Sequence, residues 1–235
     1  SGRVEEDASV ASEFAAGAQT TPAVATGQPV EAPAMPPEAE SAASTSASIG
    51  DSASGEREGR LAVVGSLSEV LAAADPARVD SFIGEIESLA PATPGNRAEA
   101  RRLNEAGLAA LRATRIDEAV SLFESAVAAD PSDPEVAGNF ADSLMRAGRW
   151  SEALRAAEAS LALGPTRPSA WGSLGLIYAK LDRGELAVAS LVTSHRLSKD
   201  PARTERVFAN LAANDDDPKV RMAMQEVLQR IGGAR

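Results

Sequence analysis

Large apolar residues recur every three or four positions over much of the chain, which is the spacing of one face of an α-helix. In residues 76–90 this pattern predicts an amphipathic helix. Asp75 is placed to act as its N-cap and Pro76 to occupy its first helical position. The apolar stripe of this helix is formed by Val79, Phe82, Ile83, Ile86 and Leu89.

A weaker apolar pattern around Leu67, Val70 and Leu71 predicts a second helix just before it, so residues 61–98 form a short helical pair. Two roles for the pair stay open. It packs on the neighbouring domain as a cap, or it docks on another protein through the apolar face of the second helix. In the second case the contact residues would be Val79, Phe82 and Ile86.

An internal repeat of 34 residues organises the next part of the chain, residues 99–201. Small residues repeat at two positions of each unit, and large residues repeat between them. Asp-Pro or Gly-Pro pairs end the second helix of each unit, because proline cannot continue the helical hydrogen-bond ladder. The aligned columns are Leu103, Ala137 and Trp171; Gly107, Ala141 and Gly175; Ala119, Ala153 and Ala187; and Phe123, Ala157 and Leu191.

This pattern resembles the tetratricopeptide repeat family over about residues 100–201. The third unit carries the family pattern most completely, with Trp171, Leu174, Gly175, Tyr178 and Ala187 at the expected spacing. The resemblance implies an all-α fold, a right-handed superhelical solenoid of antiparallel helix pairs. It also implies three such pairs in residues 99–201.

After residue 201 the period fades, but two further helices are predicted at residues 203–213 and 218–231. Residues 202–235 are therefore expected to form a degenerate helix pair that caps the solenoid. Three consecutive aspartates, residues 215–217, precede the second helix. They lack the spacing of a calcium loop, and Asp217 followed by Pro218 is better explained as a helix start.

Residues 1–60 differ from the rest in composition. They are rich in alanine, serine, threonine, proline, glycine and glutamate, and have few large apolar side chains. Such a segment cannot bury enough apolar surface to offset the entropy of ordering, so it is predicted to be a disordered acidic linker or tail. The acidity of the chain is concentrated in its first part, since residues 1–98 hold 15 of the 34 acidic but 5 of the 23 basic residues.

Composition excludes several classes of function. A formal net charge of −11 argues against general binding of nucleic acid through phosphate contacts. No apolar run approaches the ~18 residues of a membrane span, so no direct membrane contact is expected. The absence of cysteine and the single histidine, His195, leave no metal site of the usual kind, and no cofactor motif is present. Ser194 and His195 are neighbours on a helix and cannot form a nucleophile–base pair, so no catalytic residue and no enzyme activity is predicted.

The family resemblance also implies where a partner would bind. In tetratricopeptide solenoids the first helix of each unit lines a concave groove that holds peptides. The side chains expected to face this groove are Asn104, Leu108, Arg112, Asn139, Asp142, Arg146, Ser173, Leu176 and Lys180. Because Asn104, Leu108, Ser169 and Ser173 stand where some members carry residues that grip a C-terminal carboxylate, that specificity is not expected.

The sequence thus predicts a non-catalytic scaffold that binds another protein or a peptide segment. The acidic Ala/Pro/Ser-rich segment before the solenoid favours a bacterial envelope, pilus or secretion assembly factor, in the periplasm or envelope. A cytoplasmic adaptor also fits. The alternative is a regulatory or localisation module of a larger enzyme whose catalytic part lies outside this chain. The oligomeric state is left open by the sequence.

Overall fold

The computed structural model describes residues 58–233, and this part of the chain consists of α-helices joined by short loops, with no β-strand. A helical segment at residues 58–64 comes first. The helices that follow are α1 (Leu67–Ala72), α2 (Pro76–Ser88), α3 (Arg97–Arg112), α4 (Ile116–Ala129), α5 (Pro134–Arg146), α6 (Trp150–Leu163), α7 (Pro168–Lys180), α8 (Gly184–Leu197), α9 (Pro201–Asn214) and α10 (Pro218–Gly233).

The predicted linker, residues 1–60, lies outside the described residues except for residues 58–60. These last three residues are helical, and Arg60 is buried. The physical reason is that the guanidinium of Arg60 donates to backbone carbonyls of Leu89, Ala90 and Ala162. Such long-range hydrogen bonds hold residues that composition alone assigns to the linker.

Asp-Pro pairs start several helices, as the sequence predicts. Asp75 accepts a hydrogen bond from the Ala77 N–H at 2.9 Å, and Pro76 occupies the first helical position. The same arrangement starts α9, where Asp200 accepts from the Arg203 N–H at 2.9 Å. This cap explains why α9 begins at Pro201, two residues before the predicted start.

The two helices of each repeat unit pack closely because the residues that face each other have complementary sizes. Unit one is α3 and α4, unit two is α5 and α6, and unit three is α7 and α8. In unit one, a β-carbon on Gly107 would lie 2.8 Å from the ring of Phe123. In unit two both positions carry alanine, Ala141 and Ala157, and both side chains are buried.

Stacking of the units gives the solenoid its curvature. The second helix of each unit packs on the first helix of the next, so α4 contacts α5 and α6 contacts α7. The first helices also contact one another, α3 with α5 and α5 with α7, whereas the second helices make no comparable contacts. The first helices therefore lie on the inner, concave side and the second helices on the outer side.

The last two helices pack on unit three in an unexpected order. In a regular fourth unit, the first helix, α9, would contact both helices of unit three. Here α10 takes that position and packs on α7 and α8, while α9 packs mainly on α10. Lys219 at the start of α10 is 3.4 Å from Asp182, and Arg230 near its end is 3.6 Å from Glu185. The helix that extends the inner layer of the solenoid is therefore α10.

The N-terminal helical segment, residues 58–90, lies across units two and three. Helix α1 packs on α8, and Asp80 of α2 pairs with Arg196 of α8 at 2.6 Å. The ring of Phe82 meets the ring of Trp171 edge-on, with the ring centroids 6.3 Å apart. Trp171 is fully buried, so the segment shares one hydrophobic core with the repeats.

Candidate functional site

The inner face of the solenoid carries the side chains predicted to form the groove. Helices α3, α5 and α7 each contribute three of them. All are half-buried except Arg112, which is exposed. The apolar ones, Leu108 and Leu176, rest on the hydrophobic core with one side and are partly accessible on the other. The face is therefore a mixed surface of amides, charges and two leucines.

Two asparagines of this face are in direct contact. The Nδ2 of Asn139 in α5 donates to the Oδ1 of Asn104 in α3 at 2.9 Å. This bond leaves the Nδ2 of Asn104 and the Oδ1 of Asn139 without another hydrogen bond to a described residue. A donor on Asn104 and an acceptor on Asn139 therefore remain available at the junction of units one and two.

A small pocket lies next to this pair, between α5 and α7, with a volume of about 60 Å³. Three residues of the predicted groove, Asn139, Asp142 and Ser173, line it together. Gly138 and Arg167, which the sequence analysis did not single out, line it as well. Gly138 aligns with Asn104 and Gly172 in the repeat, so the sequence shows that this position lacks a side chain in unit two. The sequence does not show that a pocket results.

Asp142 and Arg146 form an internal ion pair on α5, with the Arg146 Nε 2.9 Å from the carboxylate. Burial raises the pKa of the Asp142 carboxyl, although the charge and hydrogen bond of Arg146 act in the opposite direction. Because the two groups already satisfy each other, neither presents an uncompensated charge to the groove.

Lys180 at the end of α7 is also engaged within the chain. Its ammonium lies 3.2 Å from Asp217 and 3.9 Å from Asp215, in the loop between α9 and α10. It also lies 5.6 Å from the centre of the Trp150 ring, a cation–π distance. Burial acts to raise the pKa of Asp217, but the backbone N–H of Lys219 and the hydrogen bond and charge of Lys180 outweigh it, so this pKa lies below its ordinary value. The reversed packing of α9 and α10 thus closes this end of the groove.

The residues of the alternative docking face are buried in the chain itself. Val79, Phe82 and Ile86 are 6%, 3% and 0% exposed, and all three belong to the main core with Trp171. A partner could reach them only after α2 had left the solenoid.

The side chains of Ser194 and His195 contact different residues, as expected of neighbours on a helix. Ser194 donates its hydroxyl to the carbonyl of Pro168 at 2.8 Å, and His195 lies 3.0 Å from Glu205 of α9. Over residues 58–233, no three His, Asp or Glu side chains gather closely enough to hold a metal ion. No helix in that same range combines the length and apolar character needed to cross a membrane.

Comparison with known proteins identifies the repeats. Residues 110–181 match the family model of the tetratricopeptide repeat. The repeat region has the fold of a tetratricopeptide repeat solenoid. The tetratricopeptide fold is typically a non-catalytic interaction module. No curated protein sequence matches the chain.

Several solved structures resemble the chain at low identity, among them two tetratricopeptide repeat domains. The first such domain of Spaghetti (RPAP3), bound to the HSP90 peptide SRMEEVD, is 17% identical, with a TM-score of 0.46 over 59% of this chain and 97% of that one. The Sgt2 domain from Aspergillus fumigatus is 19% identical, with a TM-score of 0.43 over 58% and 81%. MamA from Desulfovibrio magneticus RS-1 is 15% identical, with a TM-score of 0.44 over 75% and 96%.

Proposed function

We propose that the chain is a non-catalytic scaffold that holds an extended segment of a partner protein on the inner face of its tetratricopeptide solenoid. The observation that carries this proposal is the contact between Asn104 and Asn139. The Nδ2 of Asn104 and the Oδ1 of Asn139 have no other hydrogen bond to a described residue, and both side chains belong to first helices on the inner side of the solenoid. An extended peptide presents backbone N–H and C=O groups that lack strand partners, and an asparagine side chain can bind both.

The surroundings of the asparagine pair suit a peptide. Leu108 on one side and Leu176 on the other are partly accessible and offer apolar contacts to its side chains. The pocket lined by Asp142 and Ser173 is too small for an aromatic ring, but its volume of about 60 Å³ suits a small side chain. We therefore expect an extended segment with a small residue where it crosses from α5 to α7.

The test uses the full chain as bait and replaces one residue of the groove at a time. Asn139→Lys removes the amide pair, and Leu176→Glu removes the apolar contact. Each should weaken binding of a captured partner by about 1–3 kcal/mol, because a polar group is left unpaired or apolar burial is lost. Binding is measured by calorimetry, and helicity by circular dichroism.

Matched controls lie on exposed positions outside the groove. Asn210→Lys on α9 repeats the asparagine substitution, and Leu61→Glu in the N-terminal helical segment repeats the apolar-to-acid substitution at a side chain that is 37% exposed. Both control variants should bind like the parent. If the groove variants also bind like the parent, while substitutions at Val79, Phe82 or Ile86 abolish binding, recognition runs through α2 and the proposal fails.

The finer role that we propose is assembly of a bacterial envelope, pilus or secretion complex. Its support is the acidic Ala/Pro/Ser-rich composition of residues 1–60, which is typical of linkers that tether a domain to an anchor. Fractionation of cells that express the full-length gene product tests it. Recovery of the product in the cytosol as part of a larger enzyme would favour a regulatory module instead.

A further inference from the structure

We propose that the inner face of α3 docks an extended acidic segment of a partner protein, with two carboxylates about five residues apart and an apolar residue between them. The inference rests on the proposed function in taking the inner face as the binding surface. The inference adds the chemistry of the partner segment and the helix that binds it.

The side chains that carry the inference form one stripe along α3. Arg101, Asn104, Leu108 and Arg112 are spaced by three, four and four residues, so they lie on the same face of the helix. Leu108 packs on the buried cluster around Phe123 and is held in place. The two arginines at the ends of the stripe are exposed.

These two arginines differ from the other cations of the groove. Arg146 is paired with Asp142, and Lys180 is held by Asp217. In the part of the chain that the structure describes, neither Arg101 nor Arg112 has a carboxylate within 4.0 Å. Arg101 and Arg112 are therefore exposed, unpaired cations on α3, and a partner carboxylate would meet them without displacing an internal one.

Glu105 decides where the partner's carboxylates bind. It is exposed on the same face as the arginines, four residues after Arg101 and seven before Arg112, and forms no ion pair with either. Its charge repels an acidic residue at the centre of the stripe. The centre therefore favours an apolar residue, which contacts Leu108, and the acidic residues belong at the two ends.

The length of the stripe sets the spacing of the acidic residues. Arg101 and Arg112 are 11 residues apart, which at ~1.5 Å per residue of helix is about 16 Å. An extended segment rises about 3.3 Å per residue. About five residue steps therefore span the distance between the two guanidinium groups.

The experiment is an NMR titration of the ¹⁵N-labelled full chain with the peptide acetyl-Glu-Ser-Leu-Ser-Ser-Glu-amide. Chemical-shift changes should be largest for the backbone amides of α3. The double substitution Arg101→Gln and Arg112→Gln should weaken binding about tenfold, since two exposed charge pairs contribute together about that much. Arg155→Gln, at an exposed arginine of α6 without an ion pair, is the matched control and should leave the affinity unchanged.

A second peptide of the same composition, acetyl-Ser-Leu-Glu-Glu-Ser-Ser-amide, separates the proposed pattern from simple charge attraction. Equal binding of both peptides would overturn the proposal, and so would an equal effect of Arg155→Gln. If the double substitution alone shifts amides of residues 1–57 before any peptide is added, the occupant is the chain itself and not a partner. The peptide titration tests binding to α3 alone, whereas loss of the captured partner in Asn139→Lys tests the contact between α3 and α5. The two proposals can therefore fail independently.

Discussion

The α-carbon of Gly175 faces Leu191 so closely that a β-carbon on the glycine would lie 2.5 Å from the Leu191 Cγ. The same pair of positions is Gly107 with Phe123 in unit one and Ala141 with Ala157 in unit two. A glycine thus stands wherever its partner is large, and an alanine where its partner is small. The distance between the two helices of each unit is set by this summed volume.

Gly175→Ala should therefore destabilise the chain by about 1–3 kcal/mol, because the added methyl group overpacks the contact between α7 and α8. Leu191→Ala alone should also destabilise it, by leaving a cavity. The double variant should lose less than the sum of the two, since the pair then resembles unit two. Urea unfolding of the four proteins measures the coupling.

Gly184→Ala is the matched control for this prediction. Gly184 is the first residue of α8, and a β-carbon there would meet nothing within 4 Å. The substitution should leave stability unchanged or raise it slightly, because alanine favours the helix. A Gly175→Ala protein as stable as this control would show that α7 and α8 can move apart without cost.

The repeat period explains how much of this fold the sequence predicts. Each column of the repeat marks a contact between helices that adjoin in the chain, and Phe123 and Trp171, which belong to these columns, are fully buried. Contacts between distant segments leave no periodic signal. The hydrogen bond of Arg60 to Ala162 joins residues 102 positions apart, and composition placed Arg60 in the linker. The packing of α10 in the place of α9 is hidden for the same reason.

The groove was predictable as a surface but not as a set of interactions. The family resemblance places Asn139 and Lys180 on first helices, and the structure has both there. That Asn139 meets Asn104, and that Lys180 meets Asp217, depends on side-chain geometry across units and on the reversed packing of α10. Sequence spacing along one helix carries no information about either contact.

Asp130 should make the stability of the chain depend on pH. The carboxyl is 1% exposed, and burial alone raises its pKa. The N–H of Gly95, the N–H and hydroxyl of Ser132 and the charge of Arg97 act against burial and prevail, so the pKa lies below its ordinary value. A carboxyl whose pKa is lower in the folded than in the unfolded state stabilises the fold above the unfolded pKa, about 3.9.

This stabilisation is lost as the pH falls through the folded pKa of Asp130. Asp130→Asn should cost about 1–3 kcal/mol at neutral pH, because the neutral amide lacks the negative charge that strengthens these hydrogen bonds and attracts Arg97. The variant and the parent should become more similar in stability as the pH falls below about 4. Urea unfolding at a series of pH values checks this convergence. The comparison variant is Asp133→Asn, because Asp133 is the N-cap of α5 and its hydrogen bond to the Glu135 N–H is exposed. A constant difference between Asp130→Asn and the parent at every pH would contradict the assignment.

Arg60 should hold the N-terminal helical segment on the solenoid. Its Nη1 donates to the carbonyl of Ala162 at 2.9 Å, in the last turn of α6, and its Nη2 donates to the carbonyls of Leu89 and Ala90, just after α2. A cation at these two helix ends also interacts favourably with their dipoles. Arg60→Met keeps the length of the side chain but leaves these buried carbonyls without a donor, which should cost about 2–4 kcal/mol.

The loss of stability in Arg60→Met should first affect the N-terminal helical segment and only then the whole fold. Without Arg60, amides of α1 and α2 should exchange their hydrogens faster, whereas those of α5 and α7 should keep their protection. Arg78→Met is the control, since Arg78 is exposed on α2 and its loss should change nothing. Uniform acceleration across all helices in Arg60→Met would show that the N-terminal helical segment and the repeats unfold as one unit, and would contradict a local role of Arg60.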